Sequence, residues 1–308
     1  MEILYFLESI RNPFLDSVVA LLTELGGEVV FLAVGLLLLW CVNKRHGYFM
    51  LTVCYSGIIL SQFLKILCRI PRPWVKDPAF TIVESAREAA TGYSFPSGHT
   101  TNMSCTAGSI AWMTQKRWLK WTCVALIVFV AFSRMYLGVH TPLDVSVAIG
   151  MSALLVLLVG RLYEKIDKNP RLMYAVFAGV LATTIVYTAY TFMWPFPADV
   201  DAANLASARQ NACSLLGAAL GLVAGYAIDK KYVNYDVKAV WWAQIIKYAI
   251  GLALLLAIKS LLKTPLNAVL GENIGRIARY FLMLLFTGAI WPMTFGFFAR
   301  LGGKKHEY

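Results

Sequence analysis

The chain has 308 residues, of which 59% are hydrophobic and only 15% are charged. Soluble globular domains carry about 25% charged residues, so this composition excludes an ordinary soluble domain and indicates an integral membrane protein. The formal net charge of +11 could point to nucleic acid, but more than half of the basic residues lie in alternate loops between apolar stretches. That distribution follows the positive-inside rule for cytoplasmic loops. We therefore predict that the protein contacts membrane lipids and does not bind nucleic acid. The basic segments are 43–46, 115–120, 161–171, 229–238 and 300–308.

The first 25 residues are apolar, but they are broken at Arg11, Asn12 and Pro13 and carry several acidic residues. Neither half spans a bilayer comfortably, so we predict two short interfacial helices. A first crossing over about 14–41 is the alternative, and it would not change the sidedness. The segment lacks a basic start and a small-residue cleavage pattern, so we expect no cleavable signal peptide.

A series of apolar stretches follows along the rest of the chain. A hydrocarbon core of about 30 Å requires roughly 20 helical residues, and continuous apolar character favours helices over the alternating strands of a barrel. We predict an all-α fold, a polytopic membrane helical bundle with about eight transmembrane helices, because one stretch is uncertain. The stretches are 26–42, 47–70, 98–115, 118–137, 143–163, 172–192, 210–228, 239–258 and 279–299.

These stretches divide the chain into three predicted parts. They are N-terminal interfacial helices in 1–25, a core of five transmembrane helices in 26–163, and an extension of three transmembrane helices in 164–308. Lys247 lies inside a stretch of the extension. A cation in a span is a candidate functional residue, but a lysine near the interface can also extend its side chain to the polar boundary. We favour the second interpretation.

The cysteines fall within or at the ends of predicted spans, and none has the C-x-x-C spacing of a zinc site. Their positions do not support a disulfide framework, so we interpret them as small packing residues. They are Cys41, Cys54, Cys68, Cys105, Cys123 and Cys213.

Three polar clusters stand out, and the alternation of the basic loops independently places all of them on the outer membrane face. The first, KILCRIPRP (65–73), combines a lysine with arginines where a span meets a long loop. The second, PSGH (96–99), opens the next apolar stretch. The third, SRMYLGVHTPLD (133–144), joins two spans through a tight turn.

Each cluster also has a purely structural interpretation. The basic pair of the first cluster could anchor a helix end at the interface. Ser97 is a suitable helix cap beside a proline, and Asp144 could be the acid of a capping box; taken alone, Asp144 favours the cap. The histidines are harder to explain in this way. His99 and His140 are two of only four histidines, and both lie at outer helix starts beside arginines.

Together the clusters predict a phosphate-binding site. Lys65, Arg72 and Arg134 supply three cations, and the planar forks of the arginines suit bidentate phosphate contacts. A helix that begins near Ser97 directs free backbone N–H groups outward, which favours an anion, and Gly98 allows a close approach. This face has no cluster of carboxylates to bind magnesium, so we expect no metal and no cofactor.

The motifs K-x6-RP, PSGH and SR-x5-H-x3-D, in this order, resemble the three signature motifs of the type 2 phosphatidic acid phosphatase superfamily. This superfamily includes lipid phosphate phosphatases, glucose-6-phosphatases, undecaprenyl diphosphate phosphatases and vanadium haloperoxidases. The resemblance covers about residues 26–163 and every motif position. The matching residues are Lys65, Arg72, Pro73, Pro96, Ser97, Gly98, His99, Ser133, Arg134, His140 and Asp144.

The resemblance implies a metal-independent reaction through a phosphohistidine. It assigns His140 as the nucleophile, Asp144 as the residue that orients it, and His99 as the acid for the leaving alcohol and the base for water. It assigns the binding of phosphoryl oxygens to Lys65, Arg72, Ser97, Gly98 and Arg134. The long outer loop also offers candidate headgroup or lid contacts, although a loop of this composition is more often passive. They are Trp74, Lys76, Arg87 and Tyr93.

The predicted function is hydrolysis of a lipid phosphate by a multi-pass enzyme of the cell membrane whose active site faces the extracytoplasmic side. The candidate substrates are phosphatidic acid, a sphingoid-base phosphate and a polyprenyl phosphate or diphosphate. Two alternatives stay open. A phosphotransferase would pass the phosphoryl group from the same phosphohistidine to another alcohol. A lipid transporter or scramblase would use the spans and Lys247, and its activity would survive the loss of His140.

Overall fold

The computed structural model describes residues 1–166 and 168–301, and every regular element within them is helical. The predicted all-α class is confirmed. The helices are α1 (Glu2–Ser9), α2 (Pro13–Thr23), α3 (Glu28–Leu37), α4 (Lys44–Cys68), α5 (Pro73–Lys76), α6 (Gly98–Met113), α7 (Arg117–Tyr136), α8 (Pro142–Ile166), α9 (Leu172–Met193), α10 (Ala202–Ile228), α11 (Trp241–Leu261), α12 (Lys263–Leu285) and α13 (Phe295–Arg300).

Seven helical segments of the described residues are long and apolar enough to cross a membrane. An eighth results if α2 and α3, which meet at a bend of 45°, form one broken span, so the predicted number of about eight is confirmed. The individual spans differ from the prediction. The stretch 98–115 forms α6, which has only 16 residues and is not among the seven. Four segments qualify in the extension, where we predicted three, because each of its four apolar stretches lies in a qualifying segment.

The chain folds into two compact units. All three motifs of the sequence analysis lie in the first unit, so their geometry is described within it. The division differs from the predicted parts, because residues 33–48 belong with the extension. The first unit contains Met1–Leu32, Phe49–Lys168 and Pro195–Ala208, and the second contains Ala33–Tyr48, Asn169–Trp194 and the described residues from Arg209 onward.

The N-terminal helices of the first unit are fixed to its outer loop. The predicted break separates α1 from α2, where the Asn12 side chain accepts a backbone hydrogen bond and Pro13 occupies the first helical turn. Proline is at home there because that N–H has no partner inside the helix. Arg11 donates through Nε to the carbonyl oxygen of Tyr136 and through Nη1 to that of Thr81, both at 2.8 Å. These bonds hold the N-terminal segment beside the end of α7.

A 3-10 turn at Glu24–Gly26 follows α2 and packs against the start of α6. Gly26 lies so close to α6 that an added Cβ would be 2.7 Å from the carbonyl oxygen of His99. The side chain of Asn102 donates to the carbonyl oxygen of Gly26 at 3.2 Å. This close packing requires a glycine and places the nearby Thr23 beside the start of α6.

In the second unit, α10 packs against α12 through glycines spaced four residues apart. A Cβ added at Gly217 would lie 2.1 Å from the carbonyl oxygen of Ile277, and one at Gly221 would lie 2.4 Å from that of Phe281. Small residues at this spacing allow the backbones of membrane helices to approach closely. The stripe continues at Gly225. The sequence analysis did not identify this packing.

Lys247 is buried in the second unit and does not reach solvent, contrary to the interpretation that we favoured. Its side chain is 0% exposed, and Nζ donates to the carbonyl oxygen of Val237 at 3.0 Å. The ammonium group also lies 4.3 Å from the centroid of the Phe295 ring. Val237 precedes α11, so the side chain extends toward the N-terminal end of this helix. Its ammonium group is stabilised there by a carbonyl oxygen and an aromatic ring of the protein, not by water.

The glycine packing predicts that Gly221→Ala destabilises the protein, whereas Gly179→Ala does not. The new methyl group at 221 would collide with the backbone of α12, while an added Cβ at Gly179 meets no atom within 4 Å. We expect a loss of about 1–3 kcal/mol in the free energy of unfolding for Gly221→Ala, measured by thermal unfolding in detergent. Equal melting temperatures for the two variants would contradict this packing.

Candidate active site

The three motifs lie at the ends of consecutive helices in the first unit. Lys65 is in the last turn of α4 and Arg134 is in the last turn of α7. His99 is in the first turn of α6, and Asp144 is in the first turn of α8. The backbone N–H of Ser97 donates to the carbonyl oxygen of Asp144 at 3.2 Å, which joins the second motif to the third.

The start of α6 has the predicted cap. Ser97 is fully buried, and its hydroxyl oxygen accepts hydrogen bonds from the backbone N–H of Thr100 at 3.4 Å and from its hydroxyl at 2.9 Å. Ser97 is the acceptor in both bonds, so its hydroxyl proton is still available for a hydrogen bond to another group. A Cβ added at Gly98 would meet no protein atom within 4 Å. The protein's own packing therefore does not require this glycine.

Two of the predicted cations are held by backbone carbonyl groups of the outer loop. Lys65 and Arg72 are only 7% and 6% exposed. Lys65 donates through Nζ to the carbonyl oxygen of Tyr93 at 2.5 Å. Arg72 donates through Nε to that of Gly92 at 3.1 Å and through Nη2 to that of Thr91 at 2.8 Å. Carbonyl dipoles satisfy these donors without cancelling their charge, so the region stays cationic.

Arg134, the third cation, is 1% exposed and is bound from the N-terminal segment. Its Nη1 donates to the hydroxyl oxygen of Thr23 at 3.2 Å, and the hydroxyl of Thr23 lies 2.8 Å from that of Ser133. The Nε atom of Arg134 is buried and forms no hydrogen bond. A buried donor without a partner is costly. The sequence analysis missed Thr23, which is 111 residues away from Arg134 in the chain.

His140 lies between an arginine and a carboxylate. Its Nε2 is 3.1 Å from Nη1 of Arg72, and its Nδ1 is 3.5 Å from Oδ2 of Asp144. Arginine can only donate, so this geometry places the lone pair on Nε2 and the proton on Nδ1. Ser94 donates its hydroxyl to Oδ2 of Asp144 at 2.6 Å, and its Oγ is 3.5 Å from Nδ1 of His140. Ser94 was not among the predicted site residues.

Asp144 caps the start of α8 and also faces His140. Its Oδ2 accepts the backbone N–H of Thr141 at 2.7 Å, and its own N–H donates to the hydroxyl oxygen of Thr141 at 3.3 Å. These reciprocal bonds form the predicted capping box. The same carboxylate oxygen faces His140. The start of α8 therefore fixes the orientation of the histidine through the bonds that cap the helix.

The surroundings of His140 favour its neutral form. Burial, followed by the positive charges of Arg72, Lys65 and Arg134, lowers the pKa of His140 well below its usual value of 6.5. An imidazole with a lowered pKa keeps its Nε2 lone pair at neutral pH. This is the protonation state that a nucleophilic histidine requires.

His99 lies on the side of the cluster that borders the N-terminal segment. Its side chain is 17% exposed, and Oε1 of Glu24 lies 3.7 Å from its Nε2. Nε2 is buried and forms no hydrogen bond. The sequence analysis placed Glu24 in an interfacial helix and gave it no role.

The four candidate contacts of the outer loop occupy different surroundings. Tyr93 is buried, and its carbonyl oxygen accepts the lysine bond described above. The Trp74 ring lies beside the guanidinium groups of Arg72 and Arg87, at 5.7 and 5.4 Å from the ring centroid. Arg87 is exposed and is paired with a neighbouring glutamate, and Lys76 is exposed at the end of α5. A role of these side chains in substrate binding stays a prediction.

Comparison with known families assigns both halves of the chain. The family model described as the PAP2 superfamily matches residues 45–168. A second model, described as the PAP2 superfamily phosphatase, transmembrane extension, matches residues 213–304. The first match contains all three motifs, and the second covers α11, α12 and most of α10.

Several curated proteins are similar to the chain. Undecaprenyl-diphosphatase BcrC of Bacillus subtilis is 30% identical over 139 residues, or 44% of this chain and 68% of that protein. Phosphatidylglycerophosphatase B of the same organism is 30% identical over 172 residues, or 52% and 80%. A dihydrosphingosine 1-phosphate phosphatase of Schizosaccharomyces pombe is 26% identical over 47% of this chain and 38% of its own length. No solved structure matches the chain.

The helices and the comparisons define a multi-pass membrane protein of the phosphatase class. The chain belongs to the PAP2 superfamily, which is the family that the three motifs resembled. The predicted enzyme class, a phosphoric ester hydrolase, is confirmed with it.

The lowered pKa of His140 can be measured directly. With only four histidines in the chain, ¹³C-labelled histidine in detergent gives a small set of NMR signals, and His140→Gln identifies the one of interest. We expect this signal to titrate below pH 6.5, because burial and the three cations oppose a further positive charge. Titration at or above pH 6.5 would contradict the geometry of a buried ring facing Arg72.

Proposed function

We propose that this protein hydrolyses a lipid phosphate through a phosphohistidine on His140, without a metal ion. The observation that carries the proposal is the setting of the His140 ring. Its Nδ1 faces the carboxylate of Asp144, and its Nε2 lone pair faces Arg72. A nucleophile oriented by an acid and placed beside buried cations has the parts that phosphoryl transfer requires.

In the first step, Nε2 of His140 attacks phosphorus while the bond to the lipid oxygen breaks. His99 gives its proton to that oxygen, and the alcohol leaves. Arg72 moves its hydrogen bond from Nε2 to a phosphoryl oxygen as the substrate enters. The imidazole becomes positively charged on forming the P–N bond, and the carboxylate of Asp144 stabilises this charge through Nδ1–H.

In the second step, His99 removes a proton from water, and the resulting hydroxide attacks phosphorus. The P–N bond breaks, inorganic phosphate is released and His140 regains its neutral form. His99 ends the cycle protonated, ready for the next leaving alcohol. The acid of one step is therefore the base of the next.

We assign charge neutralisation to Lys65, Arg72 and Arg134. Fixed cations that are shielded from bulk water stabilise the charge that spreads over the phosphoryl oxygens in the transition state. Among the residues that the structure describes, no three His, Cys, Asp or Glu side chains gather where they could hold a metal ion.

The proposed substrate class follows from the relatives and from the position of the site. The three relatives are named for polyprenyl, glycerophosphate and sphingoid substrates, which share a phosphoryl group at the end of a membrane lipid. The candidate residues lie at the ends of membrane helices. A lipid headgroup at the bilayer surface can reach these helix ends while its acyl chains stay in the membrane.

We also propose that the site faces the extracytoplasmic side of the cell membrane. The basic segment 43–46 adjoins the start of α4, whereas Lys65 lies in its last turn. Likewise, 115–120 adjoins the start of α7, whereas Arg134 lies in its last turn. Because cytoplasmic loops carry the excess of basic residues, the opposite helix ends face outward.

The function is tested by phosphate release from phosphatidic acid, sphingosine 1-phosphate, phosphatidylglycerophosphate and undecaprenyl diphosphate. We expect His140→Ala to lower kcat at least about 10³-fold on the preferred substrate, because no P–N bond can form. His46→Ala, at the other end of α4, is the matched control and should keep its activity. We further expect inhibition by vanadate and full activity with a chelator.

Three outcomes of this panel would overturn the proposal. One is an active His140→Ala variant, which would favour transport or another chemistry. Another is the loss of activity with chelator and its recovery with magnesium. The third is phosphate found on an added alcohol acceptor instead of in solution, which would identify a phosphotransferase.

The sidedness is tested through a native cysteine. Cys68 ends α4 near Lys65 and is exposed, unlike the other cysteines of the chain. We expect a membrane-impermeant maleimide to label Cys68 in intact cells and Cys68→Ser to abolish the labelling. Lys116→Cys in the Cys68→Ser background, at the basic start of α7, should be labelled only after the cells are opened. The reverse pattern would place the site in the cytoplasm.

A further inference from the structure

A second carboxylate, that of Glu24, lies at the edge of the candidate site. Its Oε1 is 3.7 Å from Nε2 of His99, and its side chain is 60% exposed. An exposed glutamate is usually only a solvated surface residue. Here its neighbour is unusual, because Nε2 of His99 is buried and forms no hydrogen bond.

Packing on both sides fixes the backbone of Glu24. On one side, the hydroxyl of Thr23 accepts the bond from Arg134 at 3.2 Å. On the other side, Gly26 packs against the backbone of His99 so closely that no Cβ would fit. The backbone at Glu24 therefore cannot shift without disturbing α7 or α6, which keeps the carboxylate within reach of the histidine.

His99 faces several positive charges and one nearby acid. Burial opposes a positive charge on its ring most strongly, followed by the charges of Arg134 of α7, Arg72 before α5 and Lys65 of α4. His140 lies in the same cluster but is neutral at pH 7, as argued above. The buried Asp144 is bound to Ser94, Thr141 and His140. Glu24 is the carboxylate that the structure places within 4 Å of His99.

We infer that Glu24 is a positioning residue for the proton transfers of His99. This inference rests on the proposed function, in which His99 must carry a proton when the alcohol leaves. The carboxylate of Glu24 faces the ring and stabilises the imidazolium. His99 gives its proton to the lipid oxygen and later takes one from water. Each histidine then has its own acid, Asp144 for His140 and Glu24 for His99.

A charge at Glu24 affects the pH dependence of kcat/KM in a defined direction. Formation of the phosphohistidine requires protonated His99, so kcat/KM falls as the pH rises past the ionisation of this ring. A negative charge at Glu24 favours the imidazolium and extends activity to higher pH. Glu24→Gln removes the charge at nearly constant size. We expect it to move the alkaline limb of kcat/KM by about half a pH unit to one unit toward lower pH, a modest shift because Glu24 is exposed.

The leaving group separates this role from a structural one. An alkyl phosphate releases a strongly basic alkoxide, which needs the proton of His99, whereas nitrophenyl phosphate releases a stable phenolate. We expect Glu24→Gln to lower kcat/KM about 3- to 10-fold for the alkyl phosphate on the alkaline limb, as a shift of half a unit to one unit requires, and to leave the value for nitrophenyl phosphate nearly unchanged. Glu24→Asp retains the charge and should recover part of the loss.

Glu28→Gln is the matched control, because it makes the same change at an exposed residue in the first turn of α3. The thermal unfolding of each variant shows whether it is folded. Equal losses on both phosphates, or an alkaline limb that does not move, would overturn the inference. If His140→Ala is inactive while Glu24→Gln behaves like Glu28→Gln, only this inference fails. An active His140→Ala would instead overturn the proposed function.

Discussion

Three positive charges buried side by side at the ends of membrane helices are the constraint around which the first unit is built. Removing even one charge from water is costly unless polar groups replace its hydration. Lys65 and Arg72 obtain this replacement from carbonyl oxygens of the outer loop, and Arg134 obtains part of it from Thr23. The loop after α4 and the N-terminal segment therefore supply the polar groups that stabilise the buried charges.

Helix ends do two things at once in this arrangement. Ser97 begins α6 as its cap, and Asp144 begins α8 within a capping box. The free N–H groups of a helix start favour an anion, and the capping carboxylate fixes the ring of His140. The structural and the chemical interpretations of these residues therefore do not compete. A short motif can specify a site here because it also specifies where a helix begins.

The sequence predicted the residues of the three motifs and the membrane fold, since these depend on rare side chains and on apolar runs. It did not predict Ser94, Thr23 or Glu24. Serine, threonine and glutamate are common residues, and their contacts depend on close packing between segments about 50 to 110 residues apart. The backbone carbonyls that bind Arg72 have no side-chain signal at all. The burial of Lys247 likewise depends on a backbone carbonyl, which has no side-chain signal, and on an aromatic ring that is distant along the chain.

The contact between Arg72 and His140 has a consequence for chemical selectivity. With Nη1 of Arg72 at 3.1 Å from Nε2 of His140, the lone pair on this nitrogen already accepts a hydrogen bond. On the proposed mechanism, a dianion draws the arginine away and frees the lone pair. The carboxylic esters that are abundant in membrane lipids carry no such charge and leave the arginine in place. On this mechanism His140 would be shielded from acyl groups, and the enzyme would distinguish phosphate from carboxylic esters before any bond is made.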